Sequence, residues 1–177
     1  KNNELIIYQK EAINRLEKAF IHIRKPYFFV NNECFFDHLH SDHYAMYLYL
    51  LSNTIWENNG DIRLASKIFL LNKALHGIDA FYKIKLPEIF IFAHPLGTIL
   101  GNAKYSNYFA VFHNCTVGGT DDGKYPKFNG EVILYSGSSV IGDCIVGSNT
   151  IFGANSSIIN TKIDSDQVVL NRFPNNR

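Results

Sequence analysis

The chain has 177 residues, enough for one domain or a domain with a small appendage, and 46% of them are hydrophobic and 14% aromatic, so it can bury a sizeable core. A formal net charge of +1, with no basic run and no acidic tail, argues against electrostatic binding to nucleic acid or to a membrane surface. The longest apolar runs, such as "IFIFA", are too short to span a bilayer, and no secretory signal is legible. The odd count of three cysteines (Cys34, Cys115, Cys144) lacks metal-type spacing, which suggests reduced, core-filling thiols and a cytoplasmic protein.

The first elements read as helices. Residues 3–24 place Ile6, Ile13, Leu16, Phe20 and Ile23 at helical spacing, with Asn3 as the start signal and Pro26 as the stop. After the loop "PYFFVNNECFFDHLH", residues 42–58 form a second helix, with Ser41 as N-cap and Gly60 just past the end. Residues 62–76 form a third, capped by Asp61 and closed by Gly77. Their wide apolar faces call for packing on each other or on a second subunit.

Near Ile78 the pattern changes from Leu-rich helical text to Gly, Asn, Ser and β-branched residues. Apolar residues now recur every six places: Ile99, Tyr105, Val111 and Val117, then Phe128, Leu134, Val140, Val146, Phe152 and Ile158. Four places after most of these come Ala103, Phe109 and Cys115, then Val132, Ser138, Cys144, Thr150 and Ser156, the last five all small or medium-sized. The interval from Val117 to Phe128 breaks the count. It contains "GGTDDGKYP", rich in turn formers, which reads as a loop thrown out of the repeat.

A period of six fits neither an α-helix nor a flat strand. It fits a chain wound into a triangular coil, each side a short strand, with successive turns stacked at the strand spacing of about 4.8 Å. The apolar residue of each hexad points to the axis, and Gly and Asn serve the corners, where positive φ is needed. Such a solenoid is stabilised by stacking turn on turn. The fold class is therefore α+β: a helical N-terminal region over residues 1–78, a parallel β-helix over 79–171 and a short tail over 172–177.

The hexads, the "CTVGG" at 115–119, the protruding loop and the helical first half resemble the serine acetyltransferases and related hexapeptide-repeat acyltransferases. The resemblance is close over residues 79–171 and only of character and order in the helices. It implies a left-handed β-helix, an acetyl-CoA-dependent O-acetyltransferase and a homotrimer or dimer of trimers; from charge and ligand spacing, no metal, nucleic-acid or membrane partner is expected. The family's general-base histidine falls on His94 in "FAHPLGTILG", and its partner aspartate, fifteen residues earlier, on Asp79 in "GIDAF". By the same resemblance coenzyme A lies in a groove between subunits. Gly118 and Gly119 admit its pantetheine arm, Ser136, Ser138, Gly153 and Ala154 line the groove, and Lys124, Lys127, Lys162 and Arg172 are candidates for its phosphates.

Departures from the family pattern leave the acceptor open. Ala93 stands where the family has an aspartate before the histidine, and Lys124–Tyr125 stand where its loop carries Arg-His, the receiver of the serine carboxylate. Lysine meets a carboxylate without arginine's planar two-point grip. Serine remains as an acceptor, and so does a sugar or nucleotide sugar of surface-polysaccharide biosynthesis, O- or N-acetylated. The segment "FDHLHSDHY" lacks a familiar zinc spacing, and by resemblance Asp37, His40 and Asp42 are acceptor-binding candidates. His113, between inward positions, is a further candidate for the acceptor pocket or a second base. Cys115 occupies an inward place and reads as core rather than nucleophile. A non-catalytic β-helical scaffold is the reading from outside the enzymes.

Overall fold

The computed structural model describes residues 2–23, 26–30 and 33–171. Three helices come first: α1 (Asn2–Phe20), α2 (Ser41–Glu57) and α3 (Ile62–His76), with a small antiparallel hairpin of β1 (Phe29–Val30) and β2 (Glu33–Cys34) between the first two. Helix α3 starts and stops as its sequence predicts. The Asp61 carboxylate accepts hydrogen bonds from the N–H groups of Arg63 and Leu64, and Gly77 closes the helix in the left-handed conformation with φ 64°.

The other two helices differ in detail from the sequence reading. Asn3 lies inside α1, and the helix ends at Phe20, four residues early. Beyond it the N–H groups of His22 and Ile23 reach back three residues, to the carbonyls of Ala19 and Phe20, which tightens the chain into a turn. The buried stripe is Ala12, Leu16, Ala19 and Phe20, whereas Ile6 stays half exposed. At α2 the N-cap is His40, with no side-chain cap bond, and Ser41 is already helical. The Ser41 hydroxyl instead points to the Asp42 carboxylate, 3.4 Å away.

From Asp79 onward the chain is a parallel β-solenoid of about five turns with three flat faces. The first face stacks β3 (Asp79–Ala80), β5 (Ile99–Leu100), β7 (Thr116–Gly118), β10 (Ser139–Ile141) and β13 (Ser157–Ile159). The second stacks β4 (Phe90–Phe92), β6 (Phe109–Val111), β9 (Val132–Leu134), β12 (Thr150–Phe152) and β15 (Val168–Val169). The third stacks β8 (Lys127–Phe128), β11 (Ile145–Val146) and β14 (Lys162–Ile163), with Lys104 bridging to Lys127 at its upper end.

The six-residue count names the axis correctly over most of its length. Val111, Val117, Phe128, Leu134, Val140, Val146 and Phe152 are fully buried, as are Val132, Ser138, Cys144 and Ser156. Ile99 is the exception. It is 49% exposed, and its neighbour Leu100 turns inward, in register with Val117. Seventeen residues separate Leu100 from Val117, one short of three hexads, so counting backwards in sixes slips by one place. The segment between Val117 and Phe128 leaves the ladder as expected and folds on itself, with Thr120 and Lys124 joined across the turn.

The corners show why Gly and Asn recur. At Gly97 and Gly137, both at φ 75°, an added Cβ would collide with the Oδ1 of Asn114 and Asn155 from the next coil. Glycine admits the close approach, and the asparagine, itself left-handed at φ 55° and 59°, fills the space. The axis near the helices is aromatic. Tyr105, Phe109 and Phe128 form a triangle with ring centroids 5.0–5.6 Å apart, and Tyr49 of α2 packs edge-on against Phe90.

One hydrophobic cluster joins helices and solenoid. Helix α2 is fixed to it by polar bonds also: the Tyr49 hydroxyl donates to the Ile84 carbonyl at 2.6 Å and accepts from Leu86 N–H, and Asn53 donates to the Tyr82 carbonyl. No helix among the described residues is long and apolar enough to cross a membrane.

Candidate active site

His94 sits at the corner that leads from β4 into β5. Its φ is +51°, a left-handed conformation that few non-glycine residues adopt and that costs about 1 kcal/mol or more. The surroundings impose it. Ala93 N–H donates to Val111 O, Leu96 N–H donates back to His94 O, and Gly97 N–H donates to Gly77 O, so the chain on both sides is tied down. The corner turns the imidazole outward, and its side chain is 74% exposed.

The carboxylate beside it comes from α2. Asp42 is buried, and its Oδ1 accepts the His94 backbone N–H at 3.0 Å and lies 3.7 Å from His94 Nδ1. The expected pairing of His94 with Asp79 is absent. Asp79 opens β3 and its carboxylate is held by Lys73, 2.6 Å away near the end of α3. The reason is local: Lys73 lies in the last turn of α3, one short loop before Asp79, and competes for the same oxygens.

The other acceptor candidates divide. Asp37 uses Oδ1 to accept Leu39 N–H, a loop-shaping bond, and the His40 ring is stacked between Tyr27 and His43. Of the three, Asp42 alone is bonded to His94. His113 is half-buried, and its carbonyl accepts Gly137 N–H. Lys124 and Tyr125 are exposed on the protruding loop, with Lys124 3.5 Å from Asp122. The Tyr125 ring lies where a Cβ on Gly119 would be, so that glycine is required by the loop's own packing.

The groove candidates also divide. Ser138 is fully buried and its hydroxyl reaches the carbonyls of Tyr135 and Gly153, so it belongs to the axis and not to a groove. Its place in the six-residue count already put it inward. Ser136 and Gly153 are half-buried, and Ala154 and Lys162 are exposed, the last with Asp164 3.5 Å away. Lys127 is exposed in β8, and Arg172 lies outside the described residues. Gly118 is different: a Cβ built there meets nothing within 4 Å, and its φ is not left-handed. The fold of the single chain therefore does not require glycine at 118. Cys115 is buried, with Sγ near the carbonyls of His113, Leu134 and Tyr135, in keeping with a core thiol, and burial pushes its pKa up. Among the described residues no three His, Cys, Asp or Glu side chains gather as a metal site.

Beside the site, His43 is fully buried between Phe20 and Phe28 and stacks on His40 at 4.2 Å. Its Nδ1 accepts Asp37 N–H, and Nε2 has no partner among the described residues. Burial, then the neighbouring His40, push its pKa down to about 4 against the opposing pull of Asp37. The unfolded chain takes up a proton near pH 6.5 that the fold refuses until about pH 4, so stability is full above pH 6.5 and falls as pH drops toward 4. The loss is about 3 kcal/mol. Urea melts from pH 7 to 4 should show it, and His43→Gln should remove most of the slope; an equal slope in both proteins would contradict the assignment.

The fold and its exposed corner histidine define a parallel β-solenoid with a candidate active site at one corner. No protein-family model matches the chain. It is similar to the serine acetyltransferases of Staphylococcus epidermidis (24% identical over 120 residues, 66% of this chain and 56% of the relative) and Haemophilus influenzae (24% over 123 residues, 66% and 45%). It thus spans about half the length of the curated relatives it matches. Among solved structures, an Entamoeba histolytica serine acetyltransferase in complex with cysteine superposes with TM-score 0.74, covering 98% of this chain and 62% of that one at 20% identity. A Neisseria gonorrhoeae serine acetyltransferase in complex with serine gives 0.75 (96% and 70%, 18% identity), and a serine acetyltransferase complex with CoA gives 0.73 (94% and 69%, 19% identity). The fold is that of the serine acetyltransferase-like, hexapeptide-repeat left-handed β-helix proteins.

Proposed function

We propose that the protein is an acetyl-CoA-dependent O-acetyltransferase whose acceptor is a small hydroxy amino acid of the serine type, with His94 as general base. The observation that carries the reading is the His94 corner: an imidazole forced outward by a left-handed backbone, with a buried carboxylate against it. The relatives' names and the CoA, serine and cysteine complexes of the structural neighbours support it.

Acetyl-CoA supplies the activated thioester. A hydroxyl is a poor nucleophile near neutral pH, and a neutral imidazole within hydrogen-bond reach removes its proton as the oxygen attacks the acetyl carbon. His94 Nε2 takes that proton, and the resulting imidazolium returns it to the departing sulfur. No acyl-enzyme is required. The half of the site beyond His94 belongs to a neighbouring subunit, in a homotrimer or a dimer of trimers, with the pantetheine arm passing over Gly118.

A Gly118→Val variant separates this role from folding. The space at Cβ is open and valine suits a strand, so the melting temperature should not fall. Equilibrium binding of coenzyme A should weaken at least about tenfold, because a side chain now occupies the approach, at a cost of about 1.4 kcal/mol or more. Binding as tight as that of the unaltered protein would remove Gly118 from the groove. No measurable binding of coenzyme A by the unaltered protein would remove the transferase reading.

A further inference from the structure

We infer that Asp42, contributed by α2 rather than by the solenoid, is the residue that positions the His94 imidazole and fixes which of its ring nitrogens carries the proton. This rests on the reading of His94 as the general base. Four observations converge on it. The Asp42 side chain is 5% exposed, a position that a charged side chain occupies only when partners hold it. Its Oδ1 already accepts the His94 backbone N–H at 3.0 Å, across 52 residues of sequence, so it is anchored to the same residue whose ring it faces. The ring nitrogen on its side is Nδ1, at 3.7 Å. The alternative carboxylate, Asp79, is engaged by Lys73 at 2.6 Å.

The 3.7 Å separation exceeds a hydrogen bond, and a small rotation of the exposed ring closes it, as happens at catalytic pairs when a substrate arrives. A carboxylate on Nδ1 favours the neutral tautomer that carries its proton there. The Nε2 lone pair is then left facing outward, where an acceptor hydroxyl approaches, and the imidazolium formed during transfer is stabilised. The first turn of α2 suits the role, since its unpaired N–H groups favour a negative side chain. The base is thereby set by a contact between the helical region and the solenoid, and the docking of α2 through Tyr49 and Asn53 holds the carboxylate in place.

The test is nitrogen-15 NMR of the ring, with Asp42→Asn and Asp79→Asn variants and steady-state kinetics. Asparagine keeps an oxygen for the His94 N–H and removes only the charge, so circular dichroism should show an intact fold. In the unaltered protein at alkaline pH the His94 ring should carry its proton on Nδ1, and Asp79→Asn should leave this unchanged. Asp42→Asn should shift the ring to the Nε2–H form and lower kcat about 10²–10⁴-fold, with KM for the acceptor within about twofold. An Nε2–H ring in the unaltered protein overturns the inference even if the Asp42 variant fails to fold. So does loss of the Nδ1–H form in Asp79→Asn. The ring signal needs no turnover: full activity in His94→Ala would defeat the general-base reading while leaving the tautomer result to stand or fall by itself.

Discussion

Replacing His94 with alanine should lower the rate of acetyl transfer by about 10³-fold or more and leave the fold in place. The size follows from the chemistry: general-base assistance is worth about 10²–10⁴-fold, and His94 is the residue assigned to take the hydroxyl proton. The intact fold follows from the structure. The imidazole is 74% exposed and contributes little packing, and the strained φ of +51° is borne by either non-glycine residue. The backbone N–H that Asp42 accepts is still present in alanine. Stopped assays of thioester cleavage beside a thermal melt check both halves. Turnover within about tenfold of the unaltered protein would remove His94 from the chemistry.

The largest effect on stability should come from Phe109→Ala. Phe109 is fully buried on the solenoid axis, with the rings of Tyr105 and Phe128 at 5.0 and 5.4 Å, one from the segment just before its strand and one from the next coil. Truncation removes these contacts and leaves a void that a stacked, hydrogen-bonded coil cannot close, so the cost is about 3–5 kcal/mol. For a chain of this size that lowers the melting temperature by about 6 °C or more. The loss propagates through stacking, because each coil is supported only by its neighbours. A drop below about 2 °C would mean that the axis is not the main source of cohesion.

The solenoid was legible in the sequence because its constraint is local and repeated. An axis that admits one side chain per hexad writes itself into the text every six places, and Phe128 to Phe152 are buried as that count requires. The count misplaced Ile99 because a coil with one residue removed has no mark in the sequence; only the register of Leu100 on Val117 reveals it. Cap residues were legible where a side chain makes the bond, as at Asp61, and not at His40, where the cap is backbone alone. Ser138 shows the cost of reading a residue by likeness: its inward place in the hexad already argued against a groove, and its hydroxyl is spent on two carbonyls of the axis.

The site was half legible. His94 was placed by resemblance, on the corner before the Pro-Leu-Gly turn, and its exposure follows from that corner. Its carboxylate neighbour was not, because Asp42 is brought to it by the docking of a helix 52 residues away, and no spacing rule carries that information. The signal that pointed elsewhere, an aspartate fifteen residues upstream, took no account of Lys73, which lies closer to Asp79 in the chain and holds it. A one-coil spacing puts two residues near one another; the charges around them decide which pair forms.

The most direct measurement is release of free coenzyme A from acetyl-CoA, followed with a thiol reagent, by the unaltered protein with and without L-serine. The account predicts release that depends on serine, saturates with it and yields an acetylated serine in equal amount. Release that ignores serine and appears only with a sugar or nucleotide-sugar acceptor, or no release with any hydroxyl acceptor, would contradict it.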